Sequence, residues 1–233
     1  MTDPILRRIH DNFAGAMRTM VEHCDGDVAE SDGLLLCASA SPSPFPWNSA
    51  IRVSGSLPAP EIESRAREYF GPRGHGFSIA ALECLDDDLI AQLGEADDTS
   101  PEMIMIRAPD PFESGRVELV VTEARLHDWL EVVGAAFETL GESRDTWHAC
   151  YPDLDSVANP RTVAMVVYEG ADTVAGGMYY RSGSVIEVLH IGTHPEHRGR
   201  GYGRAVTTAL TIHGFDNGAS MASLQAEPMG RLG

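Results

Sequence analysis

The sequence predicts an α/β (α+β) chain of two halves, each built on a mixed, mostly antiparallel sheet flanked by helices. Three observations carry that expectation. After residue 115 the apolar periods run strand–helix–strand–strand–strand–helix–strand, which breaks the strict alternation of a doubly wound sheet. Gly170-Ala171-Asp172 separates two strand-like runs and reads as a hairpin turn. Pro and Gly cluster in the stretch 109–115 (PDPFESG) between two apolar strands, placing a boundary there, with a smaller half over 1–110 and a larger one over 115–233.

The elements follow in order. Asp3 is a good N-cap and Pro4 fits the first helical position, while Ile5, Ile9, Phe13, Ala16, Met17 and Met20 share one helical face. Asp25-Gly26 ends that helix. Strands are expected at 34–39 and 48–53, a helix at 60–70, a strand at 77–82, a short helix from Asp86 to Leu93 and a strand at 103–108. Past the boundary come a strand at 117–122, a helix at 126–140, strands at 161–169, 173–181 and 184–193, a helix at 202–213 and a strand at 220–226.

Composition narrows the function. The formal charge is −18, and all 17 basic residues are Arg. So acidic a chain repels phosphodiester backbones and anionic lipid, so neither nucleic acid nor membrane is an expected partner. Without Lys, no side-chain Schiff base can form. No apolar run approaches the roughly 18–20 residues that span a bilayer, and residues 1–20 form an amphipathic helix rather than a signal peptide. A cytoplasmic location is therefore expected. The four cysteines contain no CxxC pair. His194, His197 and His213 with Glu187 and Glu196 show no ligand spacing of the HExxH kind, so no metal is expected.

The segment 185–205 concentrates the chemistry. A strand runs into a turn crowded with glycines, and the turn opens a helix. Glycines allow close backbone approach, and a helix N-terminus aims free N–H groups at an anion. Arg198, Arg200 and Arg204 gather positive charge there, which suits a pyrophosphate. The P-loop is excluded because it needs Lys, and the GxGxxG fingerprint fails because the position three after Gly203 is Val206.

What remains is Arg198-x-x-Gly201-x-Gly203, preceded by Thr193-x-Pro195-Glu196. This run resembles motif A of the GNAT acyltransferase superfamily, and the resemblance extends over about residues 115–233. It implies a GNAT-like fold and an N-acetyltransferase that moves an acetyl group from acetyl-CoA, as cosubstrate, to a primary amine of a small molecule or peptide by direct attack. It also implies that a splayed strand pair receives the CoA arm. The backbone of Ile191, Gly192 and Thr193 would bond the pantetheine, and the N–H groups of Arg198, Gly199, Arg200, Gly201, Tyr202 and Gly203 would hold the pyrophosphate.

Glu187 is the candidate base. Several family members carry a glutamate at its position, and it is a carboxylate within an otherwise apolar strand, where desolvation raises a pKa. Strict alternation puts Val185 and Leu189 on its face and His190 on the other.

The resemblance weakens at the end of the sequence. Members usually continue with a helix bearing a general-acid Tyr and two further strands, and here no tyrosine follows Tyr202. Three explanations stay open: a degenerate enzyme, a sheet completed by another chain or by the N-terminal half, or an acid from elsewhere, such as Tyr179 or Tyr180. The exposed sheet edge calls for a partner, which a homodimer would supply. The N-terminal half resembles a degenerate GNAT-like partner domain. A catalytically weak or inactive acyl-CoA-binding sensor or scaffold is the alternative function.

Overall fold

The computed structural model describes residues 3–41, 43–44, 46–54, 57–74, 76–83, 85–94 and 99–225. The chain divides into two compact units, Met1–Thr99 and Ser100–Gly233.

In the first unit, helix α1 (Pro4–His23) begins as expected, with the Asp3 side chain accepting from the Ile5 N–H. Strands β1 (Asp27–Ser31), β2 (Leu34–Ala38) and β3 (Asn48–Arg52) form an antiparallel meander. Helix α2 (Ala59–Phe70) then carries the chain over to β4 (Ser78–Ala80), which lies parallel to β3. Ile62, Ala66 and Phe70 bury against Leu34, Leu36 and Ala50 to make the core. Strand β1 does not show in the apolar pattern of the sequence because its residues are mostly polar and mostly exposed. Its hairpin signal is nevertheless present. Asp32 and Gly33 both have positive φ, the conformation of a two-residue turn that matches strand twist.

Beside this core lies a buried ion pair. Arg52 is 4% exposed, and its guanidinium reaches Asp86 at 2.7 Å and Asp88 at 2.6 Å. Asp86, just before α3 (Asp87–Leu93), does not cap that helix with its side chain. Its carboxylate instead accepts from Arg52 Nε and from the Leu82 N–H.

The second unit holds a six-stranded sheet in the order β5-β10-β9-β8-β7-β6. Its strands are β5 (Glu102–Met105), β6 (Arg116–Leu119), β7 (Thr162–Glu169), β8 (Asp172–Ser182), β9 (Val185–Thr193) and β10 (Met221–Gln225). Every neighbouring pair is antiparallel except β9 and β10. Helix α4 (Glu123–Glu138), capped by Thr122, covers one face together with α5 (Arg144–Cys150), a helix too short for periodicity to reveal. Helix α6 (Tyr202–Asp216) covers the other, where Val206 and Leu210 bury against Ile186, Val188 and Tyr179. Helix, three-strand meander, helix and parallel strand thus recur in both units: α1-β1-β2-β3-α2-β4 and α4-β7-β8-β9-α6-β10, with the short α5 inserted in the second.

The division between units differs from the expected one. β5 falls within the second unit because its strand partner is β10. The edge that the sequence leaves open beside β10 is therefore filled by β5, from the same unit. The Pro/Gly stretch 109–115 is a connection inside the second unit rather than a linker. The last residue of the strand expected at 220–226 lies outside the described residues.

Strand β8 approaches α4 so closely that a Cβ on Gly176 would sit 2.8 Å from Trp129 Cδ1 and 3.0 Å from Val133 Cγ2. Trp129 cannot yield easily, being fully buried and donating from its indole N–H to the Gly177 carbonyl at 3.1 Å.

These contacts set two stability expectations. Gly176→Ala should cost about 1–3 kcal/mol in urea unfolding, the usual penalty of overpacking. Asp86→Ala, which strands a buried guanidinium, should cost about 3–5 kcal/mol, whereas Asp88→Ala, with its side chain 59% exposed, should cost at most about 1 kcal/mol. Equal losses for the two aspartates would refute the assignment of Asp86 as the buried counter-ion.

Candidate functional site

Strands β9 and β10 pair over only three positions, Met221↔Val185, Ala222↔Ile186 and Ser223↔Glu187. Beyond Glu187, β9 runs on to Thr193 with no described strand on that side, while β10 continues to Gln225 along β5. The two strands therefore part at Glu187. Six residues of β9, Val188–Thr193, present about 20 Å of free edge at roughly 3.3 Å per residue.

That edge is not regular. Pairing to β8 slips between Met178↔Leu189 and Gly176↔Gly192, and His190 adopts φ 57° at the slip. The bulge overrides the alternation expected from the sequence. His190 packs edge-on against Phe137, Trp147 and Tyr151, on the α4–α5 side of the sheet. Desolvation pulls its imidazole down to about 3, so it stays neutral. Nearby, a Cβ on Gly192 would come within 2.8 Å of Ala136 Cβ and 3.3 Å of Val133 Cα, so glycine lets α4 lie directly on this stretch of β9.

At the end of β9 a 3-10 turn (Pro195–His197) leads into the glycine loop. Gly199 and Gly201 have φ 77° and 84°, and Gly201 is the N-cap of α6 with no side-chain cap bond. The first-turn amides of a 15-residue helix are thus left to a ligand or to water.

The arginines of this loop serve the protein itself, a role that the sequence does not reveal. Arg198 donates to Thr139 Oγ1 at 2.9 Å and to the Ala136 carbonyl at 3.2 Å, tying the loop to the last turn of α4. Arg200 pairs with Glu169 at 3.1 Å, and His197 approaches the same carboxylate at 3.5 Å. A hydrogen bond from Tyr202, with these neighbours, holds the Glu169 carboxyl below its ordinary range. Arg204 lies over the Phe112 ring at 4.1 Å, and Ser114 Oγ donates to the Arg200 carbonyl at 2.8 Å. The stretch that reads as a linker is therefore part of the loop's support.

Glu187 is 3% exposed and stands on the face opposite α6. Cross-strand pairing sets Tyr180 beside it on β8, Thr162 beyond Tyr180 on β7, and Ser223 on its other flank on β10. Glu187 Oε2 is buried and accepts no hydrogen bond among the described residues. Burial, with a smaller contribution from the charge of Glu102, pushes the Glu187 carboxyl well above its ordinary range. Tyr179 points to the opposite face, its hydroxyl 3.1 Å from His213 Nδ1.

Residues 126–228 match the family model of the acetyltransferase (GNAT) family. No curated protein matches the chain. Among solved structures, a GCN5-related N-acetyltransferase from Kribbella flavida is similar at TM-score 0.62 and 16% identity, over 94% of this chain and 89% of that one. A GCN5-related N-acetyltransferase from Sphaerobacter thermophilus is similar at TM-score 0.54 and 15% identity, over 80% of this chain and 65% of that one. A functionally unknown conserved protein from Staphylococcus epidermidis is similar at TM-score 0.51 and 16% identity, over 88% of this chain and 84% of that one. At such identities these likenesses concern the fold.

The burial of Glu187 has a measurable consequence. Its carboxyl keeps a proton in the folded chain at pH values where the unfolded chain, near the ordinary 4.5, has already released it. The folded state then binds more protons, so this group's effect on stability worsens as pH rises above about 4.5 and levels off above its raised value. Glu187→Gln, which stays neutral, should therefore raise the melting temperature more at pH 8 than at pH 5. A gain that is the same at both pH values would show that Glu187 ionises in the folded protein as it does in the unfolded one.

Proposed function

We propose that the second unit, an acyltransferase of the acetyltransferase (GNAT) family by its residues 126–228, moves an acetyl group from acetyl-CoA to a primary amine of a small molecule or peptide. The observation that carries this reading is the edge of β9 past its parting from β10, which runs to Thr193 beside the N-terminus of α6, where a Cβ on Gly203 would lie 3.2 Å from Thr193 Oγ1. A long ligand with an anionic middle fits both features. The free edge of β9 at Ile191, Gly192 and Thr193 would bond an amide-bearing arm as an added strand. The amides from Arg198 to Gly203, with Gly199 and Gly201 in left-handed conformations, would wrap a diphosphate.

Acetyl-CoA supplies the thioester carbonyl; the remaining roles belong to this chain. Glu187 sits where the strands separate, and in this reading it takes a proton from the ammonium of the acceptor, freeing the lone pair that attacks the carbonyl carbon. Burial raises the affinity of its carboxylate for protons, which makes it a stronger base. As the C–S bond breaks, the sulfur needs a proton. Tyr180, beside Glu187 on the same face, would give it and regain one from the nitrogen newly bonded to the carbonyl carbon, whereas the Tyr179 hydroxyl is engaged with His213 on the other face. The main chain at the His190 bulge follows Glu187 on the same strand, and its N–H groups would polarise the carbonyl. The first unit, which repeats the strand and helix order without an Arg-x-x-Gly-x-Gly loop, is read as a degenerate partner domain.

Calorimetry with acetyl-CoA and turnover with a panel of primary amines test the proposal. Glu187→Gln should bind acetyl-CoA normally and lose about 10²-fold or more in kcat. Gly201→Ala, strained at φ 84°, should weaken acetyl-CoA binding instead. Tight acetyl-CoA binding without turnover of any amine would favour a sensor or scaffold, and no binding at all would end the reading.

A further inference from the structure

Strand β5 precedes the residues that match the family model, yet it places a second carboxylate on the face that carries Glu187. The register makes this explicit. Ser223 pairs with Glu187 on one side and Ile104 on the other, and Gln225, two residues along β10, pairs with Glu102. Glu187, Ser223, Gln225 and Glu102 therefore project from one side of the sheet. Glu187 stands where the strands part, and Glu102 stands behind the rail that β10 forms past that point. Met103 and Met105 alternate to the other face, where Met105 packs against the α6 core.

Neither carboxylate has a counter-ion among the described residues. Glu187 Oε2 and Glu102 Oε1 are buried without a hydrogen-bond partner, and no ion pair among those residues reaches either group. The contrast with Asp86, another buried acid of this chain, is direct, because Asp86 is met by Arg52 at 2.7 Å. The chain contains no Lys that could fill the role. Two neighbouring carboxylates removed from water and left without a cation are costly, and a positive charge arriving between them would relieve both.

We propose that Glu102 is a specificity-determining residue of the acceptor site, pairing with Glu187 so that the site selects an acceptor that enters as a primary ammonium. This rests on the acyl-transfer reading above and adds to it a residue and a charge requirement. Glu187 takes the proton, while Glu102 holds the cation at the strand junction before transfer. Burial raises the Glu102 carboxyl, while Ser223 and Gln225 pull it the other way. Tyr180 faces the pair from β8.

Steady-state kinetics of Glu102→Gln provide the test. The amine KM should rise by about tenfold or more, the loss of one charged contact, while kcat falls far less and the KM for acetyl-CoA stays put. Glu102→Asp should recover part of the loss. A fall in kcat with an unchanged amine KM, or a weakened affinity for acetyl-CoA, would overturn the proposal in favour of a purely structural role. A second measurement separates this idea from the acyl-transfer reading. In the presence of CoA, saturation-transfer NMR compares n-hexylamine, an amino sugar and an amino-acid methyl ester with their hydroxyl counterparts. Preference for the ammonium compounds in the native protein, lost in Glu102→Gln, upholds the proposal even where no acetyl transfer occurs. No preference in the native protein refutes it even where acetyl transfer is robust.

Discussion

The early end of pairing between β9 and β10 is the constraint on which the second unit is organised. Parallel strands joined through a helix can stay bonded along their length, and here they do so for three positions only. Neighbouring elements hold the separation open. β10 is drawn along β5, and β9 is held by β8 on its far side and pressed by α4 where Gly192 admits it. The backbone groups that the separation leaves without a strand partner among the described residues are the kind that a folded chain normally satisfies internally.

Charge is distributed in two contrasting ways. Surface acids are widely met by arginines, as Glu169 is by Arg200 and Glu131 by Arg144. In the first unit the same logic is carried into the interior by Arg52 and its two aspartates. Around Glu187 the logic is suspended, and hydrophobic neighbours such as Val185 and Val188 lie beside an acid that no described cation balances. Such a local violation in an otherwise consistent chain is what the proposed role of Glu187 as a base would require.

Much of this was legible from residues alone. The Asp3-Pro4 start, the hairpin through Gly170 and the strand–loop–helix around Gly201 announced themselves because their signals are local. Glu187 stood out as a charge amid apolar residues, and its burial follows from that placement. Features set by tertiary context stayed hidden. The side of the sheet taken by His190 depends on a register slip, which no period-two count contains. Strand β5 was visible as a strand, but its partner lies more than a hundred residues away, and proximity in sequence favoured the wrong sheet. Phe112 and Ser114 looked like boundary residues because proline and glycine surround them, although their partners are in the loop at 200–204. Strand β1, mostly polar and solvent-facing, left only the Asp32-Gly33 turn as its trace.

The origin of β5 bears on how this molecule can be taken apart. A fragment cut to the limits of the family match at 126–228 would forfeit β5 and β6, the two outermost strands of its sheet. Both flanks of the remaining ribbon would then offer bare amide and carbonyl rows, the template on which one chain adds to the next. The autonomous piece of this protein is therefore larger than its recognisable homology, and heredity and foldability draw their borders in different places.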